Sequence, residues 1–168
     1  MNASNDMVEM KVEGLVFDPL TNTPIIILKN QTGDKSLPIW VGYPEATAIA
    51  LQMETVETPR PMTHDLIINI INNVNVEIKH VCVNSLIENT FYAVILIESN
   101  EGIVRVDSRP SDAIAVALRV NAPIYVTHEV LENAKDLEIN SSQQNTGDED
   151  QFKTWLNNVK PSDFGQPD

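Results

Sequence analysis

The chain has 168 residues, 42% of them hydrophobic, which is enough for one compact domain with a core that needs no metal or disulfide staple. Its formal net charge is −13, from 24 acidic side chains against 11 Lys and Arg. That balance excludes non-specific coating of DNA or RNA, which depends on cationic side chains releasing counterions, but leaves room for a local cationic site.

Val8, Met10 and Val12 alternate with Glu9, Lys11 and Glu13, the period-two pattern of a half-buried strand. A second strand follows at Ile25–Leu28. Polar residues 30–34 then read as a hairpin loop, and Leu37, Ile39 and Val41 alternate as a third strand. Gly42-Tyr43-Pro44 breaks it, and a helix runs on from Glu45, whose carboxylate complements the dipole in the first turn. Beyond Pro59 and Pro61, Thr63 reads as an N-cap. Leu66, Ile67, Ile70, Ile71 and Val74, three and four apart, predict an amphipathic helix over 63–74.

Val76–Leu86 and Thr90–Glu98 read as strands joined by a tight turn at Glu88-Asn89, and Ile103–Asp107 as the next. Phe91–Ile97 is apolar on both faces, which predicts a central place in the sheet. Arg109-Pro110-Ser111-Asp112 leads into an Ala-rich helix, Ala113–Val120. Pro123–Thr127 is a last strand and His128–Leu137 a last helix. The order βββα, α, βββα, βα predicts an α+β domain over residues 7–137. Its mixed sheet is two three-strand meanders plus a late strand, flanked by helices. Residues 138–151 read as a polar, acidic linker, and 152–164 as a short amphipathic helix carrying Phe152, Trp155, Leu156 and Val159.

One cysteine, Cys82, excludes an internal disulfide, and its setting among apolar neighbours suits a small buried hydrophobe. No signal peptide or membrane-spanning run is visible, so the expected location is cytoplasmic. There is no glycine-rich phosphate loop, nucleophile elbow or zinc-type spacing.

All four arginines, Arg60, Arg105, Arg109 and Arg119, lie between positions 60 and 119. Arginine suits bidentate contact with phosphate. Arg105 and Asp107 share one strand face, while Glu45, Asp65 and Asp112 each open a helix. Arg60-Pro61-Met62-Thr63-His64-Asp65 echoes Arg109-Pro110-Ser111-Asp112, which we read as repeated capping chemistry rather than duplication. Among the histidines, His80 reads as a core residue, His128 as a cap, and His64 as the candidate for proton transfer. The competing reading makes the Arg–Asp set a buried structural network.

Three blocks resemble one family. Leu37 to Gly42 (LPIWVG) with Glu45-Ala46, Arg60 to Leu66 (RPMTHDL), and Val106 to Ala115 (VDSRPSDAIA) running on to Leu118-Arg119 are similar to the bifunctional nuclease family. Asn158 to Phe164 (NVKPSDF) is similar to a short tail in bacterial members. The resemblance implies an α+β domain acting as a nuclease on both DNA and RNA. Its motif positions here are Glu45, Arg60, His64, Asp65, Asp107, Arg109 and Asp112. The expected roles are His64, Asp65, Asp107 and Asp112 in catalysis, and Arg60 and Arg109 on phosphate. Glu45, Asp107 and Asp112 are expected on a divalent cation, Mg or Mn. DNA or RNA is the expected substrate, in a homo-oligomer, dimer or trimer, with no membrane partner. Pro24–Leu28 and the C-terminal helix are the candidate subunit contacts. The alternative is a non-enzymatic regulatory or ligand-binding oligomer.

Overall fold

The computed structural model describes residues 6–141, 154–155 and 157–158. The elements are β1 (Met7–Phe17), β2 (Pro24–Asn30), β3 (Ser36–Trp40), α1 (Tyr43–Met53), α2 (Thr63–Asn73), β4 (Glu77–Ile87), β5 (Thr90–Ser99), β6 (Gly102–Ser108), α3 (Pro110–Val120), β7 (Ile124–Thr127) and α4 (His128–Ser141). The strands form one seven-stranded sheet in the order β3-β2-β1-β7-β4-β5-β6. Both expected meanders form. The late strand β7 joins them, antiparallel to β1 and parallel to β4, so the sheet is mixed and the fold α+β.

Alternation decides which face is inside. Met10, Ile26, Leu28, Leu37, Val81, Val83 and Val126 all turn to one face and are sealed there. Burying each such side chain stabilises the fold by about 2 kcal/mol. Ala46, Ile49 and Ala50 of α1, Ala113 to Ala115 of α3, and Val130, Leu131 and Ala134 of α4 join the same core. The small side chains let α1 and α3 approach each other closely. The β4–β5 turn has Glu88 at φ 49° and Asn89 at φ 61°. Positive φ at both central residues is what a two-residue hairpin requires.

Several expectations are corrected. Helix α2 is capped by Met62, not Thr63, and its first-turn Asp65 accepts from the Met62 N–H at 2.8 Å. Its apolar stripe stays largely uncovered: only His64 of this helix is buried, and Leu66, Ile70 and the C-cap Val74 are each more than half exposed. Strand β5 is not central but second from an edge, because β6 beyond it ends the sheet. Pro24–Leu28 lies inside the protein's own core as β2, between β1 and β3, so it is no subunit contact. A bulge between Ile78 and His80 turns them to opposite faces, and His80 is half-buried, edge-on to Tyr125 at 5.3 Å. Helix α4 runs to Ser141, four residues into the expected linker. The rest of that linker, and most of the C-terminal helix, lie outside the described residues. Trp155 packs against Phe17 and Tyr43, with ring centroids 5.9 and 6.2 Å apart.

Candidate active site

Three helices begin with a carboxylate at the third helical position: Glu45 in α1, Asp65 in α2 and Asp112 in α3. The helix dipole favours a negative charge there. What differs is the cation each one meets.

Arg109 caps α3 and bridges two of these helices. Its Nε donates to Asp112 Oδ2 at 2.7 Å, and its Nη2 lies 2.9 Å from Glu45 Oε1. The Arg109 side chain is 66% exposed, and among the described residues its Nη1 has no partner. Asp112 also reaches back into the fold, its Oδ1 lying 2.9 Å from His64 Nε2. His64 is buried, and among the described residues its Nδ1 has no hydrogen-bond partner. Burial pushes the Asp112 carboxyl up, but the hydrogen bonds and charges of Arg109 and His64 outweigh it and hold the group below its ordinary value. Asp112, and then Glu45, raise Arg109 further, so it stays charged.

Arg109 and Glu45 open onto a cleft of about 590 Å³. Its walls are the end of β3 (Ile39, Trp40), Val41 and Gly42, the β4–β5 turn and start of β5 (Asn89, Thr90, Phe91), and Pro110 and Ser111 of α3. Four strands separate β3 from β5 in the sheet order, so only a curled sheet brings them to one cleft. Gly42 fixes the carboxylate's position: a Cβ there would collide with Glu45 Oε2. The sequence reading missed this glycine's role; the signal available was its place just before the Glu45 helix.

Asp65 belongs to a different network. Its Oδ1 accepts from Arg119 Nε at 2.6 Å, and Arg119 also donates to the carbonyls of Ala48 and Ala115. Arg119 is 7% exposed, so this pair is a staple joining α1, α2 and α3, not part of the cleft. Burial pushes Asp65 up, but the Met62 N–H and Arg119 more than offset it and leave the carboxyl below its ordinary value. Asp107 pairs in register with Val94 on exposed β6, and Arg60 is exposed just before α2; neither lines the cleft. Glu45, Asp107 and Asp112 therefore do not form a cation cage. Among the described residues no group of three or more His, Cys, Asp or Glu is placed to hold a metal. Cys82 is buried, and burial pushes its thiol up to about 11, which suits packing rather than nucleophilic attack.

Fold and cleft define an α+β domain in which one exposed arginine, held by two helix-start carboxylates, faces an open cavity. A profile of the bifunctional nuclease domain matches residues 26–138, well over half of the chain, and the protein belongs to that family. An uncharacterized protein of Mycobacterium tuberculosis strain H37Rv is 40% identical over 164 residues, 94% of this chain and 98% of its own. Bifunctional nuclease 2 of Oryza sativa subsp. japonica is 30% identical over 108 residues, 61% of this chain and 33% of the rice protein. Bifunctional nuclease 1 of the same plant is 25% identical over 112 residues, 64% and 34%. The chain thus spans about a third of the rice proteins' length. Among the described residues no helix is long and apolar enough to cross a membrane.

Proposed function

We propose that this protein hydrolyses phosphodiester bonds of DNA and RNA with low sequence specificity, and does so at the Arg109 cleft. The observation that carries the reading is the exposed Arg109 guanidinium, held by Glu45 and Asp112 on the wall of an open cavity. A planar fork held in this way binds phosphate oxygens and stabilises the charge that builds on them. Phosphate contacts carry no base information, so low sequence specificity follows. Glu45, whose carboxylate lines the cleft, orients the attacking water and takes its proton. Asp112 holds both Arg109 and His64. His64 is not on the cleft wall; with its Nε2 on Asp112, it is the group that relays a proton through Asp112 from behind Arg109. No step is routed through a divalent cation, because the carboxylates do not cluster. The protein acts as a homo-oligomer.

The test is a supercoiled plasmid and a labelled RNA, each with EDTA, Mg²⁺ or Mn²⁺. The wild type should cleave both, and Arg109→Ala and Glu45→Gln should each lose about a hundredfold in rate. Unchanged rates in both variants, or activity that separates from the protein on further purification, would overturn the reading. A second reading is favoured by the two carboxylates that already balance Arg109: a site that binds a nucleotide without cutting. Binding of a mononucleotide by the wild type, lost in Arg109→Ala and accompanied by no cleavage, would establish it.

A further inference from the structure

The sheet has two edges, and among the described residues only one is protected. Strand β3 is short and carries Pro38, which donates no hydrogen bond and discourages a further strand. Strand β6 carries no proline, lysine or bulge, and its pairing with β5 is unbroken from Ala93↔Ser108 to Ser99↔Gly102. Six of its seven residues are exposed, and Ile103, Val104 and Val106 are 63%, 50% and 40% exposed. An exposed edge of unbroken register with apolar side chains is a pairing surface. It also accounts for β5, whose apolar residues on both faces suit an interior strand although it lies one place from the edge.

The composition of β6 selects its occupant. Arg105 and Asp107 lie on one face, and Val104 and Val106 on the other. Among the described residues, neither Arg105 nor Asp107 has an ion pair or a side-chain hydrogen bond. If a second β6 runs antiparallel with a two-fold axis at Val106, Arg105 faces Asp107 of the second copy, and Asp107 faces its Arg105. Val106 then meets Val106 on the apolar face. The strand is its own complement in charge and in hydrophobicity, as an isologous interface requires. Val104 is in register with Ile97, and Ile97 with Ile78, so the apolar face of β6 continues the core face of β4 and β5 out to the edge.

We propose that two copies of this chain join antiparallel through β6, with paired Arg105–Asp107 contacts across the axis, to give a continuous fourteen-stranded sheet. This rests on the homo-oligomer reading and supplies its surface. In β6, Asp107 serves the interface, outside the cleft that Arg109 opens two residues later.

The test is a charge swap, read by sedimentation equilibrium of the full chain across a concentration series, with circular dichroism to show folding. The wild type should have twice the chain mass. Arg105→Asp and Asp107→Arg should each place like charges opposite one another and weaken association roughly tenfold or more. The double variant should restore the dimer. A wild type that is monomeric throughout overturns both the oligomer reading and this surface. An oligomeric wild type whose folded single variants associate equally well, or whose folded double variant stays monomeric, overturns the surface alone. The mass is independent of cleavage, so neither result bears on the nuclease reading.

Discussion

Arg109 and Arg119 have the same partner chemistry and opposite surroundings. Each donates its Nε to an aspartate at the third position of a helix, at 2.7 and 2.6 Å. The Arg119 side chain is enclosed, and its Nη1 and Nη2 donate to the backbone carbonyls of Ala48 and Ala115. Arg109 stands two-thirds in solvent with donors to spare. A buried guanidinium bonded to a carboxylate and two backbone carbonyls holds helices together. An exposed one, held by two carboxylates at the wall of a cleft, keeps donors for the ligand we propose. Position in the fold, not residue type, separates staple from site.

The largest expected effect lies on the Arg119 side. Arg119→Ala leaves Asp65 without its cation and removes the donors to two carbonyls, so it should cost about 3 kcal/mol, within the range for breaking a buried pair. Arg109→Ala should cost no more than about 1 kcal/mol, because exposed ion pairs contribute little. Urea unfolding of the two variants side by side measures the contrast. Equal losses would erase the distinction drawn between them.

Acid should sharpen the same contrast. The carboxyls of Asp65 and Asp112 are both held below the ordinary value of 3.8 in the folded chain. A group depressed on folding contributes stability that is fully present above its unfolded pKa and is lost as pH falls through the folded one. The pairs should therefore be intact above about pH 5 and weaken progressively below pH 4. In Asp65→Asn this share of the acid sensitivity should vanish, so its unfolding free energy should fall less between pH 5 and pH 3 than that of the wild type. An unchanged slope would mean that Arg119 does not hold Asp65 as described.

The order of elements was legible because periodicity is local. Val8 to Val12 alternates and α2 repeats at three and four, so the two meanders and the late strand follow from neighbours in the chain. The site was legible only in part. Arg109 and Asp112 lie three apart, and the proline at the first helical position marks their helix start. The links that sort site from staple span far more chain: His64 to Asp112 covers 48 residues, and Asp65 to Arg119 covers 54. His64 and Asp65 are adjacent in sequence yet turn to different partners on α3, a choice made by how α2 lies on α3. The position of β5 was misjudged for a related reason. Its residues are apolar on both faces, yet only Ala93 is buried, because hydrophobicity alone does not fix a strand's place in the sheet order.

Gly42 tests the aim of Arg109 more finely. Gly42→Ala places a methyl where Glu45 Oε2 lies, and the far end of a flexible side chain is what must yield. The fold should tolerate the change, since Gly42 has an ordinary negative φ of −75°. Glu45 should swing off Arg109, and cleavage should fall about tenfold with little loss of stability. Wild-type cleavage by Gly42→Ala would show that the Glu45 contact does not set the Arg109 orientation.

The smallest effect should come from Arg60, and it discriminates because Arg60-Pro61 and Arg109-Pro110 read alike in the sequence. In α3 the arginine is the cap itself and Pro110 is the first helical residue; in α2 the cap is Met62, two residues beyond Arg60. That offset keeps Arg60 outside the Asp65–Arg119 staple and off the cleft wall. Arg60→Ala should therefore leave stability within about 0.5 kcal/mol, the usual range for a surface substitution, and change cleavage of a short oligonucleotide less than about twofold. If a long duplex is cut much more slowly while the short substrate is not, Arg60 touches phosphates beyond the cleft. The likeness of the two Arg-Pro pairs would then reflect a shared ligand and not shared capping.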